Sequence, residues 1–115
     1  MITRISLFAA CVLALGLTVP SGWAETGDPV KGKATYERLC SVCHGDQGKG
    51  EGPAGQMLKP PAADLTSSKV KGAPDAELFQ TIQNGRPSTA MVAFKGQLSD
   101  QQTHDVVAHI RSLGR

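Results

Sequence analysis

The hydrophobic residues of this chain begin in one unbroken stretch near its start. Residues 5–19 are all apolar or small, Arg4 precedes them, and small residues follow before position 25. A basic residue, a short apolar run and small residues in this order are typical of a secretory signal peptide. We therefore predict that residues 1–24 are cleaved and that residues 25–115 form the mature domain. An uncleaved membrane anchor is the alternative, although a bilayer span needs about 20 apolar residues.

After this stretch the apolar residues recur at helical intervals, and the first such segment starts at Asp28. Asp28 can cap free amides, and Pro29 suits the first turn of a helix because its missing N–H is not needed there. The pattern predicts a helix over residues 29–40. Gly32 and Tyr36 lie four residues apart on one face, which indicates packing against another helix.

Two further helices are predicted in the second half of the chain. Asp75, after a proline, begins one that runs over residues 75–83. Ser99 caps the other, with Gln102 as its capping-box partner, and this helix ends near residue 113. Their apolar faces consist of Leu78, Phe79, Ile82, Val106, Val107, Ile110 and Leu113.

The segment between the first two helices has a different character. Residues 45–71 contain five glycines and three prolines, too many for long regular structure. We predict a long ordered loop with at most a short turn of helix. Because a loop of this length is unusual in a compact domain, it indicates that the chain wraps something other than protein. No alternation typical of strands is present, so the fold is predicted to be all-α with three main helices.

Composition strengthens the expectation of a cofactor. After cleavage only Tyr36, Phe79 and Phe94 remain as aromatic residues, few for the core of so small a domain. The 12 Lys and Arg residues fall to 11 without Arg4, against 10 Asp and Glu, and these charges are scattered. A formal charge of +1 (11 − 10) without a basic stretch excludes a nucleic-acid partner.

The chemistry is concentrated at Cys40, Cys43 and His44. Two cysteines three residues apart close too small a ring to stabilise a domain as a disulfide. They lie one helical turn apart, a spacing that matches the two vinyl groups of a haem, and each thiol can form a thioether there. The adjacent His44 can then reach the iron from one face. We predict one covalently attached haem c.

Two other sites use the same residue types. A structural zinc site needs four ligands, and only His104 and His109 remain to complete it, five residues apart on one helix. A redox-active dithiol is usual in a βαβ context, which the pattern does not predict. Haem attachment therefore explains the spacing best.

These features together resemble a known family. The resemblance covers nearly all of residues 28–113, in the order of the pentapeptide Cys40 to His44, a glycine-rich loop with Gly52 and Pro53, the pair Asn84 and Gly85, and Met91, Phe94, Leu98 and Ser99. The chain resembles the class I c-type cytochromes. That resemblance implies the cytochrome c fold, in which helices wrap the haem and the first and last helices cross. It also implies a methionine as the second iron ligand.

Met57 and Met91 are the two methionines of the mature chain, and chain reach does not choose between them. The resemblance favours Met91, because the family's ligand lies between the last two helices. Met57 is then expected to be a buried packing residue. The resemblance also implies that the Pro53 carbonyl accepts a hydrogen bond from His44.

Three features depart from the family pattern. No tryptophan is present in the mature chain to hold a haem propionate, so Arg86 is a candidate for that contact. Val92 follows the methionine where the family commonly has proline. His109 occupies a position in the last helix where an aromatic residue is usual, and we expect it to pack there rather than to bind iron.

The sequence thus predicts a periplasmic single-electron carrier, a monomer that meets larger redox proteins transiently and has no membrane span after cleavage. With histidine and methionine on the two faces of the iron, no position is open for oxygen or peroxide. Two alternatives remain. The chain could be an electron-relay subunit of an oxidoreductase complex, or a sensor or peroxidase-like protein whose methionine is labile.

Overall fold

The computed structural model describes residues 26–115, and the predicted signal peptide lies outside these residues. All regular structure in the described range is helical, which confirms the all-α prediction. The α-helices are α1 (Pro29–Leu39), α2 (Ser41–His44), α3 (Ser68–Gly72), α4 (Asp75–Asn84) and α5 (Asp100–Ser112), and a short 3₁₀ helix spans Gly55–Met57. Across residues 26–115, no helix has the length and apolar character needed to span a bilayer.

The predicted helix starts are confirmed by their caps. The Asp28 carboxylate accepts hydrogen bonds from the amides of Val30 and Lys31 at the start of α1. The Ser99 hydroxyl accepts from the Gln102 amide, and the Gln102 side chain accepts from the Ser99 amide. These bonds satisfy amides that the first helical turn leaves without partners.

Three details differ from the sequence prediction. The second predicted helix, α4, ends at Asn84 rather than at residue 83. The first helix ends at Leu39 rather than at residue 40, because the backbone of Cys40 turns (φ −116°) and α2 begins at the next residue. The long loop also contains one regular helix, α3, in addition to the short 3₁₀ turn. Ser67 makes α3 possible, since its hydroxyl accepts from the Val70 amide.

The first and last helices cross at Gly32, as the family resemblance implies. A Cβ atom on Gly32 would lie 1.8 Å from the carbonyl oxygen of Asp105, so only glycine allows this approach. One turn further along α1, Tyr36 is 1% exposed, and its ring lies 4.9 Å from that of His109 on α5. The glycine brings the helices together, and the aromatic ring fills the space beside it.

The core lies between α1, α4 and α5 and is small. Its buried apolar residues are Tyr36, Ile82, Leu98, Val106, Val107 and Ile110. A buried hydrogen bond from the Gln83 side-chain amide to the Thr103 hydroxyl (2.5 Å) joins α4 to α5 within it. At the other end of α5, the Arg111 guanidinium donates to the carbonyls of Val70 and Ala73 and to the Asp75 carboxylate. The corner between α3 and α4 is thereby fixed to α5.

We predict that Gly32→Ala destabilises the protein by about 2–3 kcal/mol, because the added methyl group must push the two backbones apart. Helix propensity alone predicts the opposite sign, a gain of about 1 kcal/mol. Urea unfolding of the holoprotein measures the difference. Gly72→Ala is the matched control, since no atom lies within 4 Å of its added Cβ. Equal effects of the two substitutions would show that the crossing does not depend on Gly32.

Candidate functional site

A cavity of about 610 Å³ opens between the helical core and the long loop. This volume lies within the roughly 300–1,000 Å³ of typical cofactor and ligand sites. Its wall is mainly apolar and includes Tyr36, Leu39, Leu65, Leu78, Ile82 and Phe94. Two of the three Tyr and Phe residues in the described range, Tyr36 and Phe94, therefore border this space.

Cys40, Cys43 and His44 all line this cavity. The amides of Cys43 and His44 both donate to the carbonyl of Cys40, at 3.2 and 2.9 Å, so the three residues lie on one helical turn. Both cysteines are free thiols and partly buried. Burial, with a smaller effect from Cys43, raises the pKa of Cys40 to about 11. Neither sulfur is used in a disulfide, and both are available to a group in the cavity.

Tyr36 connects the helix crossing to this pentapeptide. Its hydroxyl donates to the carbonyl of Gly45, the residue after His44, at 2.7 Å. Burial raises the pKa of Tyr36, with smaller contributions from Cys40, Glu51 and Asp46. The phenol therefore stays protonated at neutral pH and remains a donor. The end of α2 is fixed to α1 through this bond.

The hydrogen bond of the His44 ring requires a correction to the sequence prediction. Nδ1 of His44 lies 3.0 Å from the carbonyl oxygen of Ala63, not from that of Pro53. Pro53 is exposed, and the segment around it packs on the backbone of α2, where the Ala54 amide donates to the carbonyl of Val42. The path of the loop therefore presents a different carbonyl to the ring. When Nδ1 donates, Nε2 keeps its lone pair, which is the form of histidine that binds a metal.

No sequence feature indicates Ala63, because its backbone carbonyl makes the contact and any residue type could supply it. Glu51 was also missed. Its carboxylate accepts from the amides of Gln47 and Lys49, both at 2.7 Å. Hydrogen bonds from backbone amides, its own first, lower the pKa of Glu51. This residue closes the tight glycine-rich turn that follows His44, and an acidic residue among glycines is the only signal of it.

The two methionines occupy different environments. Met91 is partly buried and lines the cavity. Met57 is 82% exposed at the end of the 3₁₀ helix, so the prediction that it is a buried packing residue is wrong. Its short helix turns the side chain towards solvent. Of the two thioethers, only that of Met91 is placed to meet a group bound in the cavity.

Arg86 and His109 also have clear positions. Arg86 lines the cavity and is exposed, as a propionate partner at the cavity edge would be. His109 is 8% exposed and packs on Tyr36, away from the cavity wall. Burial, helped by Lys33 and opposed by Glu37, lowers the pKa of His109. The expectation that His109 packs in the helix crossing agrees with this placement.

The donor set of the cavity fits haem. It combines two free thiols, an imidazole with Nδ1 already bonded, and a thioether within one apolar wall. The zinc alternative requires protein ligands that converge, and within residues 26–115 no group of three His, Cys, Asp or Glu residues does so. His104 lies against Phe79, with ring centroids 4.6 Å apart.

Comparison with known proteins also indicates a haem site. The cytochrome c family model matches residues 29–114. The Cbb3-type cytochrome c oxidase subunit CcoP of Azospirillum brasilense is 32% identical over 84 residues, which are 73% of this chain and 28% of that subunit. The cytochrome c-554(547) of Halothiobacillus neapolitanus is 31% identical over 94 residues, 76% of this chain and 98% of that protein.

Among solved structures, a chain of the reducing HAO-like protein complex of Kuenenia stuttgartiensis aligns with a TM-score of 0.63 and 26% identity. The alignment covers 72% of this chain and 41% of that one. The chain spans less than a third of the oxidase subunit but nearly all of the small cytochrome. Since the family model covers almost every described residue, the chain belongs to the cytochrome c family, whose members carry covalently attached haem c.

Proposed function

We propose that this protein is a single-electron carrier whose haem is attached at Cys40 and Cys43 and held by His44 and Met91. The observation that carries the proposal is the cavity, because these four residues line one apolar space. When bound, the haem iron supplies a centre that gains and loses one electron. The chain's own residues supply its attachment, its ligands and its surroundings.

The role of His44 follows from its hydrogen bond. Because Nδ1 donates to the Ala63 carbonyl at 3.0 Å, the ring orientation is fixed and Nε2 becomes a stronger donor. Tyr36 holds the backbone next to His44 through Gly45. The histidine is thus held at its ring and at the neighbouring backbone, which restricts rotation of the ring.

The role of Met91 is to occupy the remaining position. With Met91 as the second protein ligand of a bound haem, no position would stay open for oxygen or peroxide, so the protein would transfer electrons rather than activate a substrate. The thioether is a soft ligand that favours the reduced state and raises the potential. No catalytic base or nucleophile is needed for this function.

The cavity edge supports brief contact with larger redox proteins. Val42 and Val92 line the cavity and are 52% and 58% exposed, so two apolar side chains are accessible to a partner at its edge. Weak electron-transfer complexes bury less than about 1,200 Å², and small apolar contacts allow rapid dissociation. We propose that such partners dock here transiently with the protein as a monomer.

A second candidate function rests on the oxidase relative. That subunit is much longer than this chain, and the similarity lies in one part of it. The same site could therefore relay electrons within a permanent assembly. The small cytochrome that matches over 98% of its length favours the free carrier. Size-exclusion chromatography of the native protein from its source separates the two, since a relay subunit would elute with its complex.

The proposed location is the periplasm. It rests on residues 1–24, whose composition is that of a secretory signal peptide, and on the need to attach haem to thiols outside the cytoplasm. Sequencing the amino terminus of the secreted protein tests the proposal. A start at Glu25 supports it, and retention of Met1 contradicts it.

We predict that the haem of the wild-type protein stays with the polypeptide after denaturation and extraction with acidified organic solvent. In the Cys40→Ala/Cys43→Ala double variant, any haem should pass into the solvent, because no thioether remains. The spectrum of each phase measures the distribution. Haem in the solvent phase from the wild-type protein would contradict covalent attachment.

We predict that Met91→Ala lowers the reduction potential by on the order of 100 mV or more, since a thioether ligand is lost. The reduced variant should also bind carbon monoxide rapidly. Met57→Ala is the matched control and should change neither property, because Met57 is exposed. If Met57→Ala produced these changes instead, the ligand assignment would be wrong.

We predict that Arg86→Gln lowers the reduction potential by about 20–70 mV, as expected for one charge roughly 10 Å away at the protein surface. Oxidation adds a positive charge to the site, and a nearby guanidinium opposes it. Potentiometric titration measures the shift. Lys31→Gln is the control, because that side chain is 76% exposed on α1. A shift no larger than in the control would remove Arg86 from the site.

A further inference from the structure

The segment that carries Met91 is closed on itself by backbone hydrogen bonds. The Arg86 amide donates to the carbonyl of Met91 at 3.1 Å, which joins the two ends of residues 86–91. Gly85 precedes this segment with φ +69°, and a Cβ atom on it would lie 2.6 Å from the same carbonyl. We call residues 86–91 the methionine loop. Gly85 joins this loop to the end of α4 and packs against the Met91 carbonyl.

Thr89 makes a second closure inside this loop with its side chain. Its hydroxyl donates to the carbonyl of Arg86 at 2.8 Å and accepts from the amide of Met91 at 3.2 Å. One hydroxyl therefore joins the start of the loop to the backbone of the proposed iron ligand. Thr89 is partly buried and lines the cavity; its bond with the Met91 amide is partly shielded from water, whereas its bond to the Arg86 carbonyl is exposed.

The backbone between Arg86 and Thr89 is strained, and this increases the importance of the hydroxyl. The Thr89 amide donates to the Arg86 carbonyl at 3.3 Å, which makes a turn with Pro87 second and Ser88 third. Ser88 has φ +62°, in the left-handed region that glycine or asparagine usually occupies at this position. A serine in this conformation persists only where surrounding bonds hold it.

From these contacts we infer that Thr89 is a positioning residue, whose hydroxyl holds Met91 in place and so determines how readily external ligands displace it. The inference rests on the proposed role of Met91 as iron ligand. A carrier with a firmly held methionine and a protein with a labile one would then differ in whether the Thr89 hydroxyl holds the Met91 backbone. With the hydroxyl present the thioether stays in the cavity, and without it the loop opens more often.

The test compares Thr89→Val, which keeps the shape but loses the hydroxyl, with Thr89→Ser, which keeps the hydroxyl. An external ligand binds only when the loop is open, so its apparent affinity follows the open population. Loss of both hydroxyl bonds should raise the affinity of the oxidised holoprotein for imidazole about 5- to 30-fold. Thr89→Ser should stay within about twofold of the wild type, as expected for a retained hydrogen bond.

Thr89→Ala is a second variant without the hydroxyl and should shift the affinity in the same direction as Thr89→Val. Thr66→Val is the control. It removes a hydroxyl that donates to Asp64 at 2.7 Å in the long loop, outside the methionine loop. Imidazole titration followed by absorbance gives the affinities, and potentiometry gives the potential. Both Thr89→Val and Thr89→Ala should lower the potential.

Met91→Ala separates this inference from the proposed function. If it leaves imidazole affinity and potential unchanged, Met91 is not the ligand and both proposals fail. If it changes both but Thr89→Val behaves like Thr66→Val, only the role of Thr89 is overturned. The same conclusion follows if Thr89→Ser opens the site as much as Thr89→Val, or if Thr89→Val lowers only the melting temperature.

Discussion

The close approach of α1 to α5 at Gly32 is the constraint on which the site depends. Because a Cβ atom there would lie 1.8 Å from the Asp105 carbonyl, the helices meet backbone to backbone. That approach buries Tyr36, and the buried phenol reaches the Gly45 carbonyl at 2.7 Å. The position of the pentapeptide relative to the core is therefore set by a helix contact outside the cavity. A substitution at the crossing should therefore displace the backbone around His44, although it removes no iron ligand from the site.

The two proposed ligands are held with different rigidity. His44 belongs to a helical turn, its ring contacts Ala63, and its neighbour is bonded to α1. Met91 lies in a short loop that is closed by two backbone hydrogen bonds and one threonine hydroxyl. A ligand exchange at this centre would consequently start on the methionine side.

The sequence predicted those features that depend on local chemistry. Helix starts at Asp28 and Ser99 were predictable because capping uses specific side chains at fixed spacing. The cavity positions of Cys40, Cys43 and His44 follow from helical geometry in the same way. The acceptor for His44 was not predictable, since Ala63 contributes only a carbonyl and the loop's path decides which carbonyl arrives. For the same reason the exposure of Met57 depends on a 3₁₀ turn that its neighbours in sequence do not specify.

Because the core is small, the stability of the fold depends on the group bound in the cavity. Among residues 26–115, six apolar residues form the buried cluster, and Tyr36, Ile82, Val106 and Ile110 of that cluster also line the cavity. Tyr36 and Val106 are already 1% and 0% exposed, whereas the cavity-lining Leu39, Leu78 and Phe94 are only partly buried. Complete burial of an apolar side chain of this size contributes about 1.5–3 kcal/mol. A covalently attached haem completes that burial and cannot dissociate when the loop opens. The proposed thioethers would thus hold the core as well as the cofactor, and exchange of the proposed ligand Met91 would leave the haem attached to the chain.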